Sequence, residues 1–407
     1  MKETSLFDLY QTEFSDVAFE PLVIKNERDS EALRLLRAQQ EANLSPFAFK
    51  TSQTRGRMEE DQPCSIRTCY ERDYGRIVFS LSFRRLRHKT QVFFNPVNDH
   101  ICSRIEHVIY VNYISTIIAR ALNLNVDLVQ AIAMGHDVGH APFGHSGERV
   151  LSECMKNVDE NLFFEHEQQS LRVLDLLEVR SNPEKRGLNL SFEVRDGIVS
   201  HCGETYNESC LIPKRDKTTD SIVHKSKGDR TAPATLEGCV VRFADKIAYV
   251  GRDMEDAYRA GFIGSDYLPR EVITRLGASN SEVINTLVGD IVHNSLDRDE
   301  IRMSEETFGA MNEFLNRNVN EIYKAKKIMT YEQTVNITVK ALFEAFYEAT
   351  ADLEKSCASH SEIISKFAKF AINHPEPDCH PAVKVADYIS GMTDTYCQNC
   401  FDALFRV

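Results

Sequence analysis

Two runs of apolar residues at helical spacing, joined by almost nothing, constrain this chain's fold more than any other feature. Over 103–122 the positions Ile105, Val108, Ile109, Tyr113, Ile117 and Ile118 recur with helical period, and over 126–136 Leu128, Val129, Ile132, Ala133 and Met134 form one stripe. So short a connection makes the two helices antiparallel neighbours. Asn123 or Asn125 ends or caps the first of them. Helices are also predicted over 164–178, where Leu171, Leu174 and Leu177 repeat behind His166 and the N-terminal end points its polar groups outward, and over 236–259. Strand signal is sparse. Only KTQVFF at 89–94 has the β-branched and aromatic density of a strand or hairpin arm. The expected fold is therefore all-α, a helical bundle with additional C-terminal helices and at most a small β-hairpin.

The polar stretch 1–60 reads as a loosely ordered lead-in, 61–275 as the core and 276–407 as a C-terminal helical region packed on it. Within the core, 203–235 is polar and broken by Pro213 and Pro233, which predicts an exposed insertion whose loss of order would spare the core. No apolar run approaches the roughly 20 residues of a membrane span, and the acidic N-terminus has no apolar targeting segment, so a cytoplasmic address is expected. The cysteines are scattered and only Cys397/Cys400 has a CxxC spacing, which predicts buried reduced thiols, not a zinc knuckle. A net charge of −13 disfavours general nucleic-acid coating. Against that acidic body stands a basic run, Arg84, Arg85, Arg87, His88 and Lys89, preceded by Arg67, Arg72 and Arg76; it is either a solvated face or an anion pocket.

Histidine and aspartate carry the chemistry. His107, the doublet His136-Asp137 and Asp245 lie on helical segments and make a four-ligand set for one divalent metal (Mg, Mn, Fe, Co or Ni), with coordination positions left open. HDVGHAPFGH packs three histidines into a glycine-rich frame that lets backbone approach a ligand. Its last histidine, His145, stands three residues before Glu148 at the start of a helix that Ser146 can cap, the arrangement of a carboxylate-oriented general acid. His166-Glu167 repeats the pairing and is the reserve acid. Arg104 would sit beside the metal and fork onto phosphate oxygens. Lys246 and Tyr249 offer further donors, and Asp253 could accept from a sugar hydroxyl.

Taken in order, RIEH at 104–107, HDVGHAPFGHSGE at 136–148, FEHEQQSLRVL at 164–174 and ADKIAYVGRDMEDA at 244–257 resemble the motifs of the HD-domain superfamily, and within it the deoxynucleoside triphosphate triphosphohydrolases, the dGTPase-like enzymes. FRRLRHKTQVF at 83–93, GLNLSFEVRDGIVSH at 187–201 and DYISGMTDTYCQNCFDALF at 387–405 are similar to further segments of that family. The resemblance implies a helical HD-domain core that splits a dNTP (dGTP or several dNTPs) between the 5′-oxygen and the α-phosphate, releasing deoxynucleoside and inorganic triphosphate. It implies His107, His136, Asp137 and Asp245 as metal ligands, Arg104, His140, His166, Lys246 and Tyr249 on the phosphates, and Gln91 with Asp253 at the sugar 3′-hydroxyl. A homo-oligomer and an allosteric nucleotide belong to the same expectation. The competing readings are an HD-type phosphodiesterase or nucleotidase, and a nucleotide-sensing module without turnover.

Overall fold

The computed structural model describes residues 27–64, 66–92, 100–180, 185–202, 208–223, 228, 231–264 and 267–406. The helices of the N-terminal part are α1 (Glu27–Ala42), α2 (Cys69–Val78), the short α3 (Leu81–Arg85), α4 (Arg104–Ala121), α5 (Val126–Gly135), α6 (Gly144–Val158), α7 (His166–Arg172), α8 (Phe192–Val199) and the long α9 (Leu236–Arg259). There follow α10 (Arg270–Leu276), α11 (Asn280–Ser295), α12 (Glu305–Arg317), α13 (Lys326–Ala349), α14 (Leu353–Cys357), α15 (Glu362–Ile372), α16 (Pro381–Ser390) and α17 (Asp394–Phe405). Among the described residues the one sheet is a pair of two-residue strands, β1 (Cys210–Leu211) antiparallel to β2 (Ile301–Arg302). The fold is all-α, as its periodicity predicts, with a minimal sheet.

Local chemistry sets the boundaries. Asn123 turns left-handed (φ 53°) to end α4, and the Asn125 side chain caps α5 by accepting from the Leu128 amide at 3.3 Å. Ser103 and Glu106 form a capping box at the start of α4, and Thr235 caps α9 through the Gly238 amide. The antiparallel α4 and α5 pack on each other and on α9. Helix α8 closes on α5 at Gly197, where an added Cβ would lie 2.4 Å from Ile132 Cδ1, so only glycine permits that approach. Fully buried Ile114, Ile118, Leu128 and Ile132 sit in this first core, each contributing about 1.5–3 kcal/mol. A second apolar core joins α6 to α13 and α15–α17, and Cys397 and Cys400 lie buried in it. The stretch between α5 and α6, with Val138 in the first core and Ala141 and Phe143 in the second, therefore stands where the two cores meet.

Several expectations need correction. Lys89–Val92 is not a strand: Thr90 makes only an isolated bridge to Ser103, because Lys89 and Thr90 are tied down by side-chain contacts described below, and 93–94 lie outside the described residues. Ser146 does not cap α6; the cap position is Phe143, and the Ser146 hydroxyl donates to Glu332 at 3.0 Å. The helix expected over 164–178 is α7 followed by a wider π-type turn at Val173–Leu177, and its N-terminal His166 and Glu167 are buried, not outward. The early polar stretch contains α1, and Arg57 beyond it donates to buried Asp73 and to the Asn189 carbonyl. In the stretch 203–235, of which 203–207, 224–227 and 229–230 lie outside the described residues, Lys217 is buried and donates to Asp196 at 2.6 Å and Ser200 at 2.7 Å. Lys217 thus ties the described part of this stretch to the core, although most of 212–223 is exposed.

Candidate functional site

Helices α4, α5 and α9 bring His107, His136, Asp137 and Asp245 together although as many as 138 positions separate them. His107 Nε2 lies 2.9 Å from Asp245 Oδ1, and His136 Nε2 lies 3.7 Å from Asp137 Oδ2 and 3.8 Å from Asp245 Oδ1. The ligand atoms of His107, His136 and Asp137 fall within 4.8 Å of one another. His136 is wholly buried; its Nδ1–H donates to the Ala133 carbonyl at 2.7 Å, which leaves Nε2 as a lone pair with no hydrogen-bond partner. Such a backbone contact is how a metal-binding imidazole is held in the correct tautomer. Both carboxylates are ionised. Burial raises the Asp137 carboxyl, but Arg104 and the surrounding imidazoles outweigh it and hold it well below the usual range, and His107 and His136 bring Asp245 to about 2 against the same burial. Two anions facing imidazole lone pairs in a buried corner fit a hard or borderline divalent cation.

Beside this acidic corner lies a histidine corner. Glu148, near the start of α6, is shared: His145 Nδ1 lies 3.2 Å from it, His166 Nδ1 3.1 Å, and the His166 amide donates to it at 3.0 Å. His140 stacks on His166 with ring centroids 4.2 Å apart. His166 Nε2 faces His201 Nε2 at 3.3 Å, and His201 Nδ1–H donates to the Ile198 carbonyl at 2.6 Å. His201 therefore presents a lone pair, and the proton between the two rings belongs to His166. Burial lowers the His166 pKa, but Glu148 and Glu167 overcome it and raise the ring to about 9; His201, with burial and the charges of His136 and His166 against it, falls to about 3. His166 is thus an imidazolium at neutral pH, donating from both nitrogens. The sequence pairs Glu148 with His145, which is 43 % exposed; the fold gives the same carboxylate to the buried His166 as well.

The remaining candidates are placed with differing clarity. Arg104 is almost fully buried, and its NH1 is already committed to Asp137 at 2.5 Å, Nε to the Thr90 carbonyl at 3.2 Å and NH2 more weakly to the Gln91 carbonyl at 3.5 Å. It is first a holder of Asp137, with NH2 the donor nearest to being available. His140 Nδ1 and Gln91 Oε1 are buried without hydrogen-bond partners among the described residues. Lys246 is buried and Tyr249 half-buried on α9. Asp253, also buried, accepts from Tyr323 Oη and is raised to about 7 by burial, with His107 and His145 within electrostatic reach. The basic run is not one patch: Arg72 and Arg76 pair with Asp61, Lys89 is buried, and Arg67, Arg84, Arg87 and His88 face solvent. His201 and Tyr323 were missed as individual residues; His201 closes the segment 187–201, which resembles the family but carries no local signal that its histidine faces the site.

Comparison with known proteins shows the family. Residues 104–250 match the family model for the HD domain and 301–403 that for the phosphohydrolase-associated domain. The chain is 38 % identical over 353 residues to a deoxyguanosinetriphosphate triphosphohydrolase-like protein of Caldanaerobacter subterraneus subsp. tengcongensis, covering 87 % of this chain and 89 % of that one. Proteins of the same description from Desulfatibacillum aliphaticivorans and Clostridium perfringens are 37 % and 36 % identical, each over 89 % of this chain and 94 % of its own length. The chain belongs to the deoxyguanosinetriphosphate triphosphohydrolase-like family of HD-domain proteins.

Proposed function

We propose, with that membership as the premise, that the protein hydrolyses deoxynucleoside triphosphates to deoxynucleoside and inorganic triphosphate. The observation that carries the reading is the buried, unpartnered Nε2 of His136 facing two ionised carboxylates, directly beside an imidazolium and Arg104. One site with cations and anions so arranged suits a divalent metal and a polyphosphate together. His107, His136, Asp137 and Asp245 would hold the metal, which supplies charge neutralisation and Lewis-acid polarisation at the phosphoryl group.

The chain's own residues do the rest. Arg104 keeps Asp137 ionised and aimed, while its NH2, His140 Nδ1, Lys246 and Tyr249 donate to phosphate oxygens. The His166 imidazolium places fixed positive charge where charge develops as water attacks the α-phosphorus. The new P–O bond forms from water and the bond to the 5′-oxygen breaks. His145, with Nδ1 against Glu148, passes the proton that the leaving alkoxide requires, help worth about 10²- to 10⁴-fold, and Glu167 supports His166, the reserve donor. Gln91 and Asp253 read the sugar 3′-hydroxyl; with Asp253 raised to about 7, it can both donate and accept.

The test is product analysis. Purified protein incubated with each dNTP, Mg or Mn and candidate activating nucleotides is expected to release deoxynucleoside and tripolyphosphate, with ¹⁸O from labelled water appearing only in the triphosphate. Inorganic phosphate from a monophosphate without tripolyphosphate would select the phosphodiesterase or nucleotidase reading, and tight dNTP binding with no single-turnover product the sensing module. A cytoplasmic homo-oligomer, one metal per site and a 61–275 core with a 276–407 C-terminal region complete the proposal; size-exclusion, metal analysis and limited proteolysis check these in turn. Among the described residues no helix is long and apolar enough to cross a membrane.

A further inference from the structure

The C-terminal region reaches the site through one buried carboxylate. Asp394, the first residue of α17, accepts at Oδ2 from the Thr90 amide at 2.8 Å and the Thr90 hydroxyl at 2.5 Å, and at Oδ1 from the Phe143 amide at 2.8 Å. These partners come from two segments that lead to opposite sides of the site. The Thr90 carbonyl accepts from Arg104 Nε, and the Lys89 carbonyl accepts from the Arg104 amide at 3.1 Å, so this side sets where the arginine and hence Asp137 stand. Phe143 is the residue from which α6 departs, with φ of 66°, a left-handed conformation that a bulky residue keeps only when its surroundings fix it. One turn later come His145 and Glu148.

The same place is pinned a second time: Lys89 Nζ, buried, donates to the His140 carbonyl and to the Ser390 carbonyl at the end of α16, the latter at 2.7 Å. Burial lowers Lys89 to about 7 and raises the Asp394 carboxyl, and each group works against the other's shift. A carboxylate that only stabilised the fold could have spent its oxygens anywhere along α17. This one closes the gap between the arginine segment and the α6 turn.

We propose that Asp394 is a positioning residue for the reaction, fixing the Arg104–Asp137 side of the site against the His145–Glu148 side, so that the C-terminal region sets catalytic geometry without touching substrate. The proposal rests on the hydrolase reading for its kinetic consequence, but its structural half can be measured without turnover. In full-length Asp394→Asn, one donor among Thr90 and Phe143 must face an amide NH₂, and Asp394→Glu restores the charge.

Hydrogen exchange is expected to accelerate about tenfold or more in peptides covering 86–92 and 141–150 of Asp394→Asn, while peptides from α4 and α9 keep wild-type protection. With dNTP, kcat should fall about tenfold or more while KM stays within about threefold, and Asp394→Glu should recover part of the loss. Should Asp394→Asn fail to fold, Thr90→Val removes one of the three donors and should give about a two- to fivefold smaller kcat with the same local exchange pattern. Unchanged exchange in these peptides, acceleration spread equally over α4 and α9, or a kcat equal to wild type in a folded variant each overturns the proposal. If wild type releases no tripolyphosphate from any dNTP, the hydrolase reading fails, and the exchange pattern alone decides whether Asp394 sets the geometry.

Discussion

The acidic corner and the histidine corner are both built from imidazoles and carboxylates, and touch one another through Asp137 and His140, with Asp137 Oδ1 3.8 Å from His140 Nε2. They differ in proportion. In the acidic corner two carboxylates face two imidazoles, one of which has a bare Nε2. In the histidine corner one carboxylate, Glu148, serves two imidazoles, and Glu167 adds its charge to one of them. The first arrangement gathers lone pairs and negative charge and attracts a cation. The second stores protons, since each anion favours the charged ring beside it. A histidine–carboxylate pair therefore has no fixed chemical meaning; the count of anions per ring and the partner of the second ring nitrogen give it one.

The sharpest way to break this contrast is Asp137→Ala. It should strip the divalent metal in elemental analysis and lower kcat/KM by about 10³-fold or more, as loss of several kcal/mol of charge stabilisation requires. A variant that retained full metal would show that the acidic corner is not the cation site. Glu148→Gln should behave differently, keeping the metal while kcat falls about 10²-fold. Loss of metal there would mean that the two corners are one site and not two.

Gly139 lies on the loop between the corners, and its missing side chain is what lets that loop reach α7: an added Cβ would stand 2.1 Å from the Ser170 amide nitrogen. Gly139→Ala should destabilise the protein by about 1–3 kcal/mol in denaturant titration and weaken both functions together. A wild-type stability would show the loop free to move. The smallest effect is a pH dependence. The His166 pKa is raised in the folded protein to about 9, so its stabilisation is complete below the unfolded value near 6.5 and is lost as pH climbs through 9. The melting-temperature advantage of wild type over His166→Asn should shrink across that window, and in Glu148→Gln the shrinkage should begin at lower pH. A difference independent of pH would remove the imidazolium from the histidine corner.

Much of the architecture was legible because it is periodic. The stripes of α4 and α5, their four-residue link and the apolar face of α9 follow from spacing alone. Ser146, a good capping type at a good position, was misread because its hydroxyl has a tertiary partner in Glu332, and a local rule cannot see 186 residues ahead. The stretch 203–235 looked dispensable because its composition is polar, yet Lys217 is polar precisely where buried Asp196 needs a cation. His201 was invisible for the reverse reason: it lies just past the end of α8, and nothing local aims it at His166.

Sequence alone determined the helical class, the helix pairs and the inventory of groups able to bind a cation or move a proton, since period, capping and side-chain chemistry act over a few residues. Tertiary structure decided how those groups were shared: which imidazole kept a bare nitrogen, that Glu148 served two rings, and that Asp394 of the last helix held both sides of the site. Hydrogen bonds and electrostatic fields depend on distance in space, and only packing turns separations of 138 to 304 positions along the chain into contacts near 3 Å.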